Sequence, residues 1–199
     1  MMITSIDQLD LTKRYTYADY RSWQFDDLVE LIKGKIVKMS PGPNMAHQWV
    51  SAELQGVIYQ YLKQSPCKIF SAPFDVRLPS LRGKKMDTVV QPDIAVICDL
   101  SKLDEQGCNG APDWIIEILS KSTSKKDLTE KFSIYQNAGV REYWVVHPTE
   151  ETVIPYRLDE AGQYQLIRKT PFVSGERVPV GIFPDLSIEL EEIFVRGLD

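Results

Sequence analysis

The run Trp114-Ile115-Ile116-Glu117-Ile118-Leu119 places one carboxylate where every neighbour is apolar. A short continuous apolar run is the pattern of a strand covered on both faces. Alternation of side chains puts Glu117 on the face of Ile115 and Leu119. An ionised carboxylate in that setting is strongly disfavoured unless it is paired, hydrogen-bonded or bound to a metal. Asp93 poses the same problem within Gln91-Pro92-Asp93-Ile94-Ala95-Val96-Ile97. Pro92 removes a ladder donor there, which predicts a bulge or strand edge that turns a side chain towards a site. Two carboxylates from neighbouring strands are the hard oxygen ligands that Mg²⁺ takes beside its retained waters and a substrate phosphate. On spacing alone a structural salt bridge explains the pair equally well.

The organisation around these strands is that of one domain. A chain of 199 residues fits a single core, and with 43% hydrophobic and 26% charged residues it has a globular composition. No apolar stretch is long enough to span a bilayer. The start, Met1-Met2-Ile3-Thr4-Ser5-Ile6-Asp7, has neither a basic nor an apolar region, so no signal peptide is expected. Cys67, Cys98 and Cys108 are odd in number and form no CxxC pair. They argue against a disulfide framework and a zinc cluster, and they predict a reducing, cytoplasmic location. A net charge of −5 weighs against tight non-specific nucleic-acid binding but leaves room for a local basic patch.

Periodicity and punctuation predict the elements. A short helix is expected over 16–23 behind Thr16, then two strands about a Lys33-Gly34 turn, and a chain break at Ser40-Pro41-Gly42-Pro43-Asn44. Val50, Leu54, Val57, Ile58, Tyr61 and Leu62 recur at helical spacing over 46–63. Strands over 68–78 and 89–98 flank the basic connector Arg82-Gly83-Lys84-Lys85 as neighbours in a meander. A strand over 113–119, a helix from Ser124 to Ala138 stopped by Gly139, and a strand over 142–147 make a crossover unit with parallel strands. Further strands are expected over 152–158 and 164–168, with a closing segment over 190–195. Trp49, Tyr59 and Trp144 are assigned to the core rather than to base stacking.

Lys131 lies one step round the 124–138 helix from the expected buried stripe of Leu128, Phe132 and Tyr135. Its spacing from Asp127 is that of a helix-surface ion pair, worth about 0.3–0.5 kcal/mol. The wheel alone favours that role.

An ordered series of motifs points further. It comprises Tyr17-Ala18-Asp19-Tyr20, Glu30-Leu31-Ile32-x-Gly34-x-Ile36-Val37-x-Met39-Ser40-Pro41, His47-Gln48, Gln91-Pro92-Asp93 and Glu117-Ile118-Leu119-Ser120-x-Ser122-Thr123. It continues through Asp127, Lys131, Tyr135 and Gly139-Val140-x-Glu142-Tyr143-Trp144. The series resembles the Uma-type family of restriction-endonuclease-like proteins, placed in the PD-(D/E)XK nuclease superfamily, over residues 12–195. The resemblance implies an α/β (α+β) fold with a mixed central β-sheet flanked by helices. It also implies Mg²⁺, with Mn²⁺ as a substitute, held by Asp93 and Glu117. The superfamily lysine two residues after the second acid is replaced here by Leu119. The resemblance moves that role to Lys131. Glu30 would be an auxiliary ligand or metal-water acceptor, and His47 a phosphate or water contact. The chain departs from the family at His147-Pro148, where Asp-Pro is common, and at Lys121, where proline is common.

The function implied is metal-dependent hydrolysis of DNA phosphodiesters. Arg77, the loop Arg82, Lys84 and Lys85, and the cluster Lys121, Lys125 and Lys126 are candidate grips on the DNA backbone. A solvated surface explains these cations equally well. The rivals are a non-catalytic nucleic-acid-binding or regulatory protein that keeps the fold, and a small-nucleotide phosphoesterase. A homodimer would suit an enzyme cutting both strands of a duplex, though no sequence feature establishes one.

Overall fold

The computed structural model of the protein describes residues 3–39, 44–79, 86–120 and 124–194; in the last span the described side chains begin at Leu128. The first half comprises α1 (Tyr17–Tyr20), β1 (Val29–Ile32), β2 (Lys35–Lys38), α2 (Met45–Leu62), β3 (Lys68–Ser71), β4 (Val76–Pro79), β5 (Met86–Val90) and β6 (Ile94–Ile97). There follow β7 (Leu103–Asp104), β8 (Gly107–Asn109), β9 (Trp114–Ile118), α3 (Ser124–Ala138) and β10 (Glu142–His147). The chain closes with β11 (Thr152–Leu158), β12 (Tyr164–Leu166), β13 (Phe172–Val173), β14 (Arg177–Pro179), β15 (Ser187–Glu189) and α4 (Leu190–Ile193).

Local chemistry sets the boundaries. Thr16 caps α1 by accepting from the Asp19 amide, and the Asp19 carboxylate accepts from the Thr16 amide. Lys33 and Gly34 both adopt positive φ, 50° and 79°, the geometry of a tight hairpin between β1 and β2. Asn44 Oδ1 accepts from the His47 amide at 2.9 Å and so opens α2. Gly139, at φ 86°, ends α3 in the left-handed region.

The expected mixed central sheet flanked by helices is present, as the second of two larger sheets among the described residues. The first runs β2-β1-β5-β4-β8-β7 and the second β12-β11-β10-β9-β6-β3, with β13 added to β11 and β14-β15 as a separate ribbon. As the crossover predicts, β9 and β10 are parallel neighbours joined through α3. The expected meander is also present, but it is divided. Ile69 pairs with Val96 in the second sheet, while Val76 pairs with Val90 in the first. Each arm changes sheet at a proline, Pro73 and Pro92, because neither can donate to a continuous ladder.

The second sheet separates two cores. Trp114, Ile116, Trp144 and Val146 pack on one side with Val50, Leu54 and Ile58 of α2. Ile115, Tyr143 and Val145 pack on the other with Ile134 and Tyr135 of α3. Trp144 is fully buried, but Trp49 and Tyr59 are 42% and 58% exposed, which corrects their assignment to the core. The expectation of unpaired cysteines is corrected as well. Lys68 lies opposite Ile97 in the β3–β6 ladder, so the residues one step outward, Cys67 and Cys98, meet and form a disulfide. Cys108 is a buried free thiol. Among the described residues no helix is long and apolar enough to cross a membrane.

Candidate active site

The side of β9 that carries Glu117 is the one that meets α3. Lys131 and Tyr135 are four residues apart, so both project from the same side of that helix. Lys131 Nζ lies 3.0 and 3.2 Å from the two Glu117 oxygens. It also lies 3.0 Å from Glu30 Oε1, contributed by β1 of the other sheet. Tyr135 donates its hydroxyl to Glu117 Oε1 at 2.5 Å. With its side chain 7% exposed, Lys131 is not a surface residue. The helix wheel missed this because the partners that draw it inward are remote in sequence. Glu30, 3% exposed, is buried as well.

Asp93 stands at the sheet change, immediately before β6. Ile94 faces Ile116 across the antiparallel β6–β9 pair, so Asp93 stands beside Glu117. Asp93 Oδ2 accepts from the Ile118 amide at 2.7 Å, and Oδ1 lies 3.2 Å from His47 Nε2. The first turn of α2 thus delivers His47 to Asp93. Among the described residues, its other ring nitrogen, Nδ1, is buried with no hydrogen-bond partner. Glu30, His47, Asp93, Glu117 and Lys131 are therefore all brought into one cluster.

Charge dominates the chemistry of this cluster. Burial pushes the Glu117 carboxyl up to about 7; Lys131 opposes the rise, the neighbouring charges of Asp93 and Glu30 add to it, and the Tyr135 hydrogen bond moderates it. Burial alone would lower Lys131, but Glu117 and Glu30 hold its ammonium well above the usual lysine range. Burial also works against a charged His47, yet the hydrogen bond and charge of Asp93 outweigh it and raise the imidazole. Tyr135 is raised by burial and by the two glutamates, so it remains a donor. The sign for stability follows from Glu117. Its folded value lies above the ordinary carboxyl range, so its contribution is greatest in acid and declines as pH rises from about 4.5 to about 7.

Removing the Tyr135 hydroxyl tests this balance. Tyr135→Phe leaves the ring packing in place and deletes one donor to an ionised acceptor, at a cost of about 1.5–3 kcal/mol near pH 8. The Glu117 carboxyl should titrate higher than in the parent protein, which carboxyl carbon NMR would follow. An unchanged titration would mean that the hydroxyl does not stabilise the carboxylate.

A second tier of polar residues braces the cluster. The Gln91 amide donates to Glu30 Oε1 at 2.8 Å, and its side-chain amide donates to Asp75 Oδ1 at 2.8 Å. Tyr20 donates to the same Asp75 oxygen at 3.2 Å. Residue-by-residue reasoning assigned no role here to Tyr135, Gln91, Asp75 or Tyr20. Only Tyr135 carried a local signal, its helical spacing from Lys131.

Of the basic candidates, Arg77 is the one whose side chain is described. Arg77 is buried, donates to Asp104 Oδ1 at 2.7 Å and to the Cys108 carbonyl at 3.3 Å, and lies 5.2 Å from the Tyr17 ring centre. This corrects its reading as a grip on DNA, since its guanidinium is committed within the first sheet. Arg82, Lys84, Lys85 and Lys121 lie outside the described residues, as do the side chains of Lys125 and Lys126.

Among the described residues no group of three or more His, Cys, Asp and Glu side chains is disposed to hold a metal ion. A hard divalent cation asks for less, because it accepts one or two carboxylates and keeps its waters. The residue types suit that demand: the carboxylates of Asp93 and Glu117 stand side by side and could offer oxygen to such an ion, while Glu30 and Glu117 flank the Lys131 ammonium.

The chain is similar to known proteins in family and fold. The Uma2 family, described as "Putative restriction endonuclease", matches residues 17–191. An uncharacterized protein of Synechocystis is 23% identical over 139 residues, spanning 69% of this chain and 70% of the relative. The crystal structure of a protein described as a "putative nuclease belonging to DUF820" from Anabaena variabilis superposes with a TM-score of 0.68 at 26% identity. The match covers 90% of this chain and 97% of that one.

Proposed function

The chain belongs to the Uma2 family, and on that premise we propose that it is a metal-dependent endonuclease that hydrolyses DNA phosphodiesters at the Asp93–Glu117–Lys131 cluster. One observation carries the reading. Acids from separate strands converge on a buried lysine, with Asp93 and Glu117 side by side across the β6–β9 pair.

Asp93 and Glu117 would hold Mg²⁺, or Mn²⁺ in its place. Such an ion supplies Lewis acidity towards the phosphate oxygen and lowers the pKa of a bound water. The protein's own groups do the positioning. The Ile118 amide fixes one Asp93 oxygen, and Tyr135 and Lys131 fix Glu117. The Lys131 ammonium stays charged and offers its protons to negative charge that develops on phosphate oxygens. His47, raised by Asp93, is a donor at the edge of the cluster suited to a phosphate contact. Glu30 holds Lys131 from the other sheet and can accept from water. Candidate grips on the DNA backbone are Arg82, Lys84, Lys85, Lys121, Lys125 and Lys126.

The test is a cleavage panel of duplex DNA, single-stranded DNA, RNA and mononucleotides with Mg²⁺, Mn²⁺ or chelator, and with Glu117→Gln as control. Metal-dependent cleavage of DNA that Glu117→Gln abolishes is the expected result. Activity confined to mononucleotides would make the protein a phosphoesterase instead.

A second reading has its own support, since each acid of the cluster already has a donor within the protein. A descendant that keeps the fold for binding or regulation needs no ion. Calorimetric titration with Mn²⁺ separates the two, because that descendant gives no saturable heat.

A further inference from the structure

The exposed side of α2 has matching halves. Positions equidistant from Leu54 agree in kind: Ala52 with Gly56, Trp49 with Tyr59, Gln48 with Gln60, and, as long flexible side chains, Met45 with Lys63 just past the helix end. All of these positions face solvent, with Met45, Trp49 and Tyr59 at 56%, 42% and 58% exposure. A Cβ built on Gly56 meets nothing within 4 Å, so the fold of the chain itself does not call for this glycine. Glycine is disfavoured in an exposed helix interior and suits the close approach of another backbone.

From this we infer that α2 is a homodimer interface, packed antiparallel on α2 of a second copy about a two-fold axis level with Leu54. A two-fold contact demands a self-complementary surface, in which residue i meets residue j and j meets i. The sequence of this face meets that demand. Ala52 of one copy faces Gly56 of the other, which lets the backbones approach closely at the crossing. Trp49 then stacks against Tyr59 on either side. Met45 reaches the far end of the partner helix, where an open cavity of about 400 Å³ is lined by Gln60, Tyr61, Lys63, Gln64, Ser65 and Phe183. Charge selects the same occupant. The exposed positions of α2 carry no carboxylate, Glu53 being partly buried, so two copies of a chain with net charge −5 can meet here without direct repulsion. Nucleic acid would find no cation on this face before Lys63.

His47 lies on the buried side of α2, so this contact stands apart from the proposed chemistry. One helix crossing is at the small end of specific interfaces, so exchange with a dissociation constant on the order of micromolar is expected. Sedimentation equilibrium across a concentration series tests it. The parent protein should pass from monomer to dimer, and Trp49→Glu or Tyr59→Lys should each weaken association at least tenfold, with unchanged circular dichroism. The double variant Trp49→Glu/Tyr59→Lys sets a carboxylate at position 49 of each copy against an ammonium at position 59 of the other and should recover the dimer. A parent protein that stays monomeric, single variants that associate like the parent, or a double variant that stays apart would each overturn the antiparallel pairing. These outcomes read assembly alone, so they remain distinct from any failure of the nuclease reading.

Discussion

Replacing Lys131 with methionine should cost the fold about 3–5 kcal/mol near pH 8, the range for a buried ion pair stripped of one partner. Methionine fills much of the volume, so the loss is electrostatic rather than a cavity. Glu117 and Glu30 lose the ammonium they share, and Glu117, already pushed up to about 7, moves higher still. The penalty therefore depends on pH. In the parent protein the raised Lys131 stays charged below its ordinary titration and loses its proton only in strong alkali, so the pH dependence between 5 and 8 comes from Glu117. In the variant an ionised Glu117 is the main burden, and that burden lifts as the carboxyl takes up its proton. Urea unfolding at pH 5 and pH 8 should show a distinctly smaller loss at pH 5. Equal losses at both values would mean that Lys131 contributes packing, not charge. If cleavage is assayed in the same variant, rate should fall far more than Mn²⁺ affinity. An unchanged rate would remove Lys131 from the catalytic group.

Asp93→Asn should have the opposite profile: folding nearly intact, cleavage lost. The amide keeps an oxygen that can accept from Ile118, so the strand junction survives. What disappears is one of two anionic ligands. Ligation of this kind contributes several kcal/mol to the transition state, so the rate should drop by roughly three orders of magnitude or more. Added Mn²⁺ should raise the melting temperature of the parent protein and leave that of Asp93→Asn almost unmoved, since an ion stabilises only the folded state that binds it. A purified variant that cuts DNA like its parent would sink the endonuclease reading.

The sequence was a good guide where the signal is local. Ser124 to Ala138 forms a helix with those bounds because a polar start and Gly139 bracket it, and β10 ends at His147 before Pro148. The Glu117 anomaly led straight to the cluster, because a carboxylate among Ile side chains demands a partner wherever that partner comes from. Sheet membership was not legible. The residues on either side of Pro73 and Pro92 are equally strand-like, and nothing nearby says that the two ends of one run join different sheets. Lys131 failed the helix wheel for the same reason, since its burial depends on residues 14 and 101 positions away. Only the family resemblance pointed to it. Cys67 and Cys98 could not be paired from composition, because their meeting rests on the β3–β6 register.

The proline joint at Gln91-Pro92-Asp93 has a consequence for how much variation this fold can bear. Its first residue clasps Glu30 through a backbone N–H, and its last clasps the Ile118 amide through a carboxylate. The segment is therefore a rivet with one head in each sheet. Lengthening or shortening it by a single residue would reverse the orientation of everything downstream in β6 relative to β5. This spacing cannot drift without parting Glu30 from Asp93.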